Sequence, residues 1–347
     1  MKMIKSLSRR PIFWILLGAL LIRVMAAFYL GNTVSGLSGA QDEISYSKLA
    51  ERLVNGHGLT FPEGWYPWIK ADAPQSYYSA SMCLLLAGIY YIFGYTPLVA
   101  RLIMGILNTI AILMLYLLTR RLFGEKVALV TAVIASLYAY FIFYGVTLVT
   151  ETPFVLGLLL TLYLAYDLHE SPAWWKWPGL GIALAVTLLF RMAVIFYVPF
   201  LLLWIIYKVK AKSRWQVLIP VGIIILAVLP FTIRNYIMWD KFMLLESQFG
   251  HVFWNGNHPG QKFLQGTLVF PIPADVLASE NDAEITSRLL VLGIKNVLAD
   301  PGHFIILTTS RLIEFFKFWP TSDSTLTANI MRVLSFGIMW PFMLAGL

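Results

Sequence analysis

Two carboxylates and two guanidinium groups in this chain stand where chemistry can be done. Asp42-Glu43, after Gly39-Ala40-Gln41, opens a helical pattern: Tyr46, Leu49, Ala50, Leu53 and Val54 recur at i, i+3, i+4, i+7 and i+8, and Asn55-Gly56 ends it. Glu151 lies between two apolar runs, just ahead of Thr152-Pro153. Arg191 and Arg234 each follow an apolar run. Acids of this kind take a proton from a nucleophile. Arginines grip a phosphate through two parallel hydrogen bonds. Each residue alone also has a plainer reading. Asp42 is a good N-cap, Glu151 a carboxylate favoured by a helix N-terminus, and the arginines ordinary flanks. Arg23 sits inside the first apolar run, where a charge needs a partner or must snorkel to the interface.

The elements that carry these residues are set by composition. Of 347 residues, 59% are hydrophobic and 13% charged, and the mean hydropathy is +0.73. Soluble domains carry about 25% charged residues. Several runs approach the roughly 20 apolar residues that a helix needs to cross a bilayer. The expected fold class is therefore an all-α polytopic membrane protein. The formal charge of +8 does not indicate nucleic acid, because the basic residues cluster at the ends of apolar runs. Cys83 is the single cysteine, so no intramolecular disulfide forms. The five histidines, His57, His169, His251, His258 and His303, are scattered without metal-ligand spacing, and GxxxxGK[ST], HExxH and CxxC motifs are absent. No metal or cofactor is expected.

Charge sets the topology. Lys2, Lys5, Arg9 and Arg10 keep the N-terminus cytoplasmic ahead of an uncleaved span over 11–30. Residues 31–96 then form an outer loop. Arg120, Arg121 and Lys126 form the next basic marker, and Lys208, Lys210, Lys212 and Arg214 the one after. Two apolar runs, 80–94 and 97–119, lie before Arg120, and if both crossed, Arg120 and Arg121 would face outward. The shorter run, 80–94, is therefore expected to lie along the outer interface or re-enter, with Tyr77, Tyr78, Tyr90, Tyr91 and Phe93 at the surface. Spans follow over 97–119, 127–147, 153–168, 179–190, 194–207 and 216–231, with Trp174, Trp175 and Trp177 as cytoplasmic-side anchors. Residues 235–327 are expected as an outer region, with an amphipathic helix over 303–320 carrying Arg311, Glu314 and Lys317. Residues 328–347 form a last span. The organisation is thus a core over 1–234, the outer region, and the final span. In this topology Asp42, Glu151, Arg191 and Arg234 share the outer face.

The chain resembles membrane glycosyltransferases of the GT-C fold, namely glycosyltransferase family 39, the protein O-mannosyltransferases, and the aminoarabinose transferases of lipid A. The resemblance spans about residues 10–320. It rests on Asp42-Glu43, on Arg120-Arg121-Leu122-Phe123-Gly124, on Thr150-Glu151-Thr152-Pro153-Phe154 and on Phe190-Arg191. It continues in Pro230-Phe231-Thr232-Ile233-Arg234-Asn235-Tyr236 and Phe253-Trp254-Asn255-Gly256-Asn257-His258-Pro259. It implies a GT-C-like bundle with outer interfacial helices and a multi-pass protein of the inner (plasma) membrane. It also implies a sugar donor on a polyprenyl phosphate, a glycan, lipid or protein acceptor, and inverting transfer outside the cytoplasm. By position Asp42 looks like the catalytic acid residue, Glu151 like the second acid and Arg191 like the donor-phosphate contact, with Glu43 grouped among the catalytic acids and Arg234 beside the phosphate.

Two departures bear on these expectations. Asp72-Ala73-Pro74 stands where relatives often carry Lys or Arg before the proline, leaving Lys70 as a substitute phosphate contact. The chain also ends within its last apolar run, which implies a short or a truncated member. Two other classes stay open: a non-catalytic membrane scaffold, and a lipid-linked-sugar transporter, which needs charges near the midplane where Arg23 is the main one.

Overall fold

A computed structural model describes residues 11–37, 40–171, 173–209, 211–264, 268–279, 281–321 and 324–345, without the side chains of 211–213 and 327. Lys2, Lys5, Arg9, Arg10, Gly39, Lys210 and the side chain of Lys212 lie outside it. The chain is an all-α polytopic membrane protein. Five helices are long and apolar enough to cross a bilayer: Pro11–Leu30, Pro97–Phe123, Glu151–Glu170, Arg214–Trp239 and Ala328–Ala345. The pair Asp282–Ala299 and Pro301–Phe315, bent by 106°, would make a sixth if it counts as one span. Packing divides the chain into two units, one holding the residues up to Pro74 and Ser79–Arg234, the other Gln75–Tyr78 and Asn235 onward.

The first unit begins with α1 (Pro11–Leu30), α2 (Asp42–Val54), α3 (Ala80–Phe93), α4 (Pro97–Phe123), α5 (Glu125–Leu137) and α6 (Ala139–Tyr144). It continues with α7 (Glu151–Glu170), α8 (Lys176–Phe190), α9 (Val198–Lys208) and most of α10 (Leu218–Trp239). Its long helices are apolar outside and small or polar inside. On α1 the buried residues Ile12, Ala19, Arg23 and Ala27 make one stripe, while Trp14, Leu21, Met25 and Phe28 face outward. On α5 the stripe is Ala128, Ala132, Ala135 and Ser136, and on α7 it is Gly157, Thr161 and Ala165. Small residues at four-residue spacing let helices approach closely where lipid offers no hydrophobic drive between them. At Gly157 a Cβ would stand 2.5 Å from Thr187 Oγ1 of α8, so this contact needs glycine.

Several expected spans take another form. Residues 127–147 are not one helix: Tyr138 is extended (φ −65°, ψ 119°) and separates α5 from α6. Residues 179–190 and 194–207 are the shorter helices α8 and α9, parted at the extended Arg191 and a 3-10 turn, Met192–Phe196. In contrast, α10 runs through Pro230 to Trp239, well past residue 231, because a proline inside a long membrane helix is tolerated. α3 is 14 residues, about 21 Å long, against a hydrocarbon core of about 30 Å.

The break at Tyr138 explains Arg23. The carbonyls of Ala135 and Ser136 lose their helical partners where α5 stops. Arg23, fully buried, supplies them: Nη1 donates to Ser136 O at 2.7 Å and Nη2 to Ala135 O at 3.3 Å, while Nε donates to Asn108 Oδ1 at 2.9 Å. Of the two readings of this residue, the partnered one holds and snorkelling does not. A cation at a helix C-terminus also matches the helix dipole.

A second buried arginine, Arg101 in the second turn of α4, gathers the segments between helices. It donates Nη1 to Glu43 Oε2 and Nη2 to Glu43 Oε1, both at 3.2 Å, and both residues are fully buried. It also donates to Gly31 O (3.3 Å), Thr33 O (2.8 Å) and Val146 O (3.0 Å), and Leu148 N donates to Glu43 Oε2 at 3.2 Å. Thus α1's exit, the start of α2 and the α6–α7 connection meet on one guanidinium.

The second unit contains α11 (Gln248–Gly256), α12 (Ala274–Leu277), α13 (Asp282–Ala299), α14 (Pro301–Phe315), α15 (Leu326–Arg332) and α16 (Ile338–Ala345). The expected outer region is therefore largely helical. Asp300 caps α14, accepting from His303 N at 2.8 Å, and Pro301 begins it. Gln75–Tyr78 is bound here by a buried polar network. Ser76 N donates to Asp282 Oδ2 (3.1 Å), Ser76 Oγ to Asn235 Oδ1 (3.2 Å) and Trp239 Nε1 to Ser76 Oγ (2.9 Å). Tyr77 and His251 share a 2.9 Å hydrogen bond, and burial lowers the His251 pKa to about 4. Of the aromatic residues expected at the interface, Tyr77, Tyr78, Tyr90 and Trp177 are instead buried, whereas Tyr91, Phe93, Trp174 and Trp175 are exposed.

Two stability outcomes follow from the buried arginines. Arg23→Leu strands the Ala135 and Ser136 carbonyls, at about 1–3 kcal/mol for each group left unsatisfied. Thermal unfolding in detergent is expected several degrees below wild type, and an unchanged midpoint would return Arg23 to the snorkelling reading. Arg101→Leu leaves a buried unpaired carboxylate and is expected to cost about 3–5 kcal/mol. The double variant Arg101→Leu/Glu43→Leu should cost less than the single one, and a double-mutant cycle without coupling would deny the pair its role.

Candidate active site

Asp42 is the first residue of α2, with Gln41 at the N-cap, so Asp42 is not the cap residue itself. α2 turns its apolar face inward through Tyr46, Leu49 and Ala50, and Asn55 with left-handed Gly56 ends it as the sequence indicates. Consecutive residues on a helix are about 100° apart. The anchoring of Glu43 to Arg101 thus leaves Asp42 outside that pair, on the exposed side. Glu43, grouped with Asp42 among the catalytic acids, has its carboxylate fully buried, with both oxygens accepting from Arg101.

A loop packs on the open side of α2. Trp65 and Ile69 exchange backbone hydrogen bonds at 2.8 and 2.9 Å, and Trp65 Nε1 donates to Ser45 Oγ at 2.9 Å. Lys48 pairs with Glu63 at 3.0 Å and lies over the Trp65 ring at 4.2 Å. Arg52 binds Thr60 Oγ1 at 2.9 Å and pairs with Asp72. Asp72, at a position where a cation was sought, thus has a structural partner in α2. Between Trp65 and Ile69 the chain carries Tyr66, whose hydroxyl pKa is raised by burial and by the negative charge of Asp42.

Glu151 and Arg191 meet at one end of an antiparallel helix pair. Glu151 is the first residue of α7 and Arg191 the residue just after α8, and Arg191 Nη2 donates to Glu151 Oε1 at 2.9 Å. At the other ends Lys176 pairs with Asp167 at 2.6 Å, and Arg121 joins Asp167 as well. The sixteen-residue step from Glu151 to Asp167 spans about 24 Å of helix. The helices are therefore clamped at both ends, and Glu151 meets Arg191 because the stretch from Glu151 to Asp167 on α7 nearly matches that from Lys176 to Arg191 along α8.

Arg191 also reaches Asp42. Burial raises the Asp42 pKa, and the charge of Arg191 opposes that rise. Tyr144, just past the α5–α6 break, lies in the field of both Glu151 and Arg191, and its carbonyl accepts from Thr152 Oγ1 at 2.6 Å. Arg191, paired with Glu151, is thus within electrostatic range of Asp42 and Tyr144, and Asp42 within that of Tyr66, which links three distant segments through one partly open guanidinium. The Glu151–Arg191 pair is solvent-accessible, with side-chain exposures of 26% and 46%, so it is worth at most about 1 kcal/mol to the fold. It leaves Arg191 accessible for another anion. Lys70 is exposed on the loop beside α2 and Arg234 is half-buried in α10, both in the first unit. The convergence rests on the other three residues.

Sequence reading missed Arg101, Tyr66 and Tyr144. Arg101 had a signal, a charge inside the apolar run 97–119 that must find a partner. The tyrosines had none, since their place depends on how the loop packs and where a helix breaks. Among the described residues no group of three or more His, Cys, Asp or Glu side chains is arranged to hold a metal ion.

Residues 81–234 match the family model described as dolichyl-phosphate-mannose-protein mannosyltransferase. No curated protein matches the chain. The matched stretch holds Arg101, Glu151, Arg191 and Arg234 and begins after Asp42, Glu43 and Lys70. Over that stretch, within its helical membrane fold, the chain is similar to GT-C type membrane glycosyltransferases.

Proposed function

We propose that the chain transfers a sugar from a polyprenyl-phosphate donor to an acceptor hydroxyl or amine on the non-cytoplasmic side of the plasma membrane, with inversion at the anomeric carbon. The observation that carries this is the Glu151–Arg191 pair lying within electrostatic range of Asp42. An acid held above its usual pKa by burial, next to a partly open guanidinium, suits a base beside an anionic leaving group.

In this reading the donor phosphate lies at Arg191, with Arg234 and Lys70 as further contacts. The acceptor oxygen or nitrogen attacks the anomeric carbon from the face opposite the phosphate, and Asp42 takes its proton. The bond from the anomeric carbon to the phosphate oxygen breaks, and the polyprenyl phosphate leaves as an anion that needs no general acid. Arg191 stabilises the charge that builds on that oxygen, and alignment of the two substrates lowers much of the remaining barrier. Glu151 holds Arg191 in place, Glu43 fixes the start of α2, and Tyr66 and Tyr144 border the acceptor side. The description of the matched family makes a mannosyl donor the first to try.

Membranes carrying the full chain, supplied with polyprenyl-phosphate sugars, are expected to release polyprenyl phosphate. Asp42→Asn should abolish release with unfolding unchanged, and turnover retained in that variant would remove Asp42 from the mechanism.

The pH profile tests the partner. Asp42 acts only as the anion, so kcat/KM should rise with pH through its raised pKa. Arg191 favours that anion, and Arg191→Gln removes the favour. The acidic limb should therefore move to higher pH, beside a loss of rate. A limb that stays in place, or moves down, would separate Arg191 from Asp42.

A further inference from the structure

The second unit has a polar cavity of its own, about 60 Å³, beneath α14 and the turn that follows α11. Arg311, Lys262, Ser310, Gln261, Gly256 and Glu314 line it. The turn belongs to Phe253-Trp254-Asn255-Gly256-Asn257-His258-Pro259, a stretch that the transfer reading does not use. Its shape is fixed from within. Gln261 is buried, donating Nε2 to Asn255 O (2.8 Å) and Leu268 O (2.7 Å) and accepting from Leu268 N (3.1 Å). Arg311 donates to the Gly256 carbonyl, and a Cβ at Gly256 would stand 3.3 Å from Arg311 Nη2, a tight contact that the glycine avoids.

The charges in the wall do not balance. Among the described residues Glu314 is the single acid lining the cavity, and both of its oxygens are taken by Lys317 at 3.0 Å. Arg311 and Lys262 have no carboxylate within ion-pair distance among the described residues. Ser310 is buried, and its Oγ accepts from Leu264 N at 2.8 Å, which leaves the hydroxyl hydrogen available to donate. Two cations and a hydroxyl from different segments thus face one water-accessible space. That space exceeds the roughly 10–15 Å³ needed for one water.

We propose that this cavity binds a phosphate oxyanion, through Arg311, Lys262 and the Ser310 hydroxyl. The guanidinium fork can engage two oxygens, while the ammonium acts as a point charge and the hydroxyl as a third donor. Three separate donor groups suit a tetrahedral anion, whereas a planar carboxylate would leave one of them unmatched. The phosphate is that of a soluble ester or of a lipid headgroup. This site is independent of the transfer reading and is measured without turnover.

The test uses the full chain in phosphatidylcholine nanodiscs. Acylation of Lys262 by an amine-reactive reagent is followed by peptide mass spectrometry while inorganic phosphate is titrated at constant ionic strength. Wild type should show saturable protection of Lys262. Arg311→Gln should raise the midpoint about tenfold, the effect of losing one charge-assisted contact. Ser310→Ala, a smaller change, should raise it too and serves if Arg311→Gln does not fold. Nanodiscs containing phosphatidic acid separate the two sources. Protection by that lipid without added phosphate assigns a headgroup, and protection by inorganic phosphate alone assigns a soluble ester. Protection by neither overturns the proposal, as does equal protection by acetate or a midpoint that neither variant moves.

Discussion

A charge placed in the low-dielectric interior must find its counterpart inside the protein, and the Arg101–Glu43 pair is where this chain meets that demand most fully. Both side chains are fully buried. Such a pair adds little net stability over a well-packed apolar pair, yet losing one member costs about 3–5 kcal/mol. Its effect is therefore on which arrangement forms. Arg101 offers five donor hydrogens, and they reach the Glu43 carboxylate and the carbonyls of Gly31, Thr33 and Val146. Glu43 in turn receives Leu148 N. Any shift of α2 along its axis would break several of these contacts together. The neighbouring Asp42 inherits that fixed register.

Arg23 answers the same demand without an acid. The extended Tyr138 interrupts a helix inside the bundle and would leave the Ala135 and Ser136 carbonyls orphaned, and the guanidinium satisfies them. Break and charge are thus mutually dependent: a continuous helix would leave Arg23 short of acceptors, and an apolar residue at 23 would leave the break unsatisfied. The break also lets the chain turn through α6 and the following loop, where Val146 and Leu148 meet the Arg101–Glu43 pair. One buried arginine stabilises the bend and the other receives its far side.

How much was legible in the sequence depends on the range of the interaction. The α2 pattern is local, and its periodicity and its Asn55-Gly56 end place it correctly. The joint reading of Asp42, Glu151 and Arg191 came from topology, which a few basic clusters carry over long distances. The α5–α6 break has no glycine or proline at Tyr138 to announce it, so an unbroken apolar run concealed it. Its one trace was Arg23, a cation whose acceptors had to come from somewhere. Tyr90 reads as an interface anchor because its ring and hydroxyl suit one. Its hydrogen bond to Ser47 at 2.9 Å is a tertiary fact. Glu43 and Asp42 are indistinguishable by type and differ only in which side of α2 each takes.

That difference separates two jobs that adjacent carboxylates would otherwise confuse. Glu43 is fully buried, with both carboxylate oxygens accepting from Arg101 and one also from Leu148 N. Asp42 keeps surface exposure on the open side of α2 while the protein around it desolvates its carboxylate, and Arg191 is the opposing charge within its reach. Arg191 is in turn shared, because Glu151 holds its Nη2. If Arg191 were bound to Asp42 alone, a tight ion pair would push the pKa of that carboxylate down. If Arg191 were absent, burial alone would keep Asp42 protonated to higher pH. Sharing the guanidinium with Glu151 places Asp42 between these limits and keeps Arg191 beside the site in an exposed pair that an incoming anion can enter at little cost.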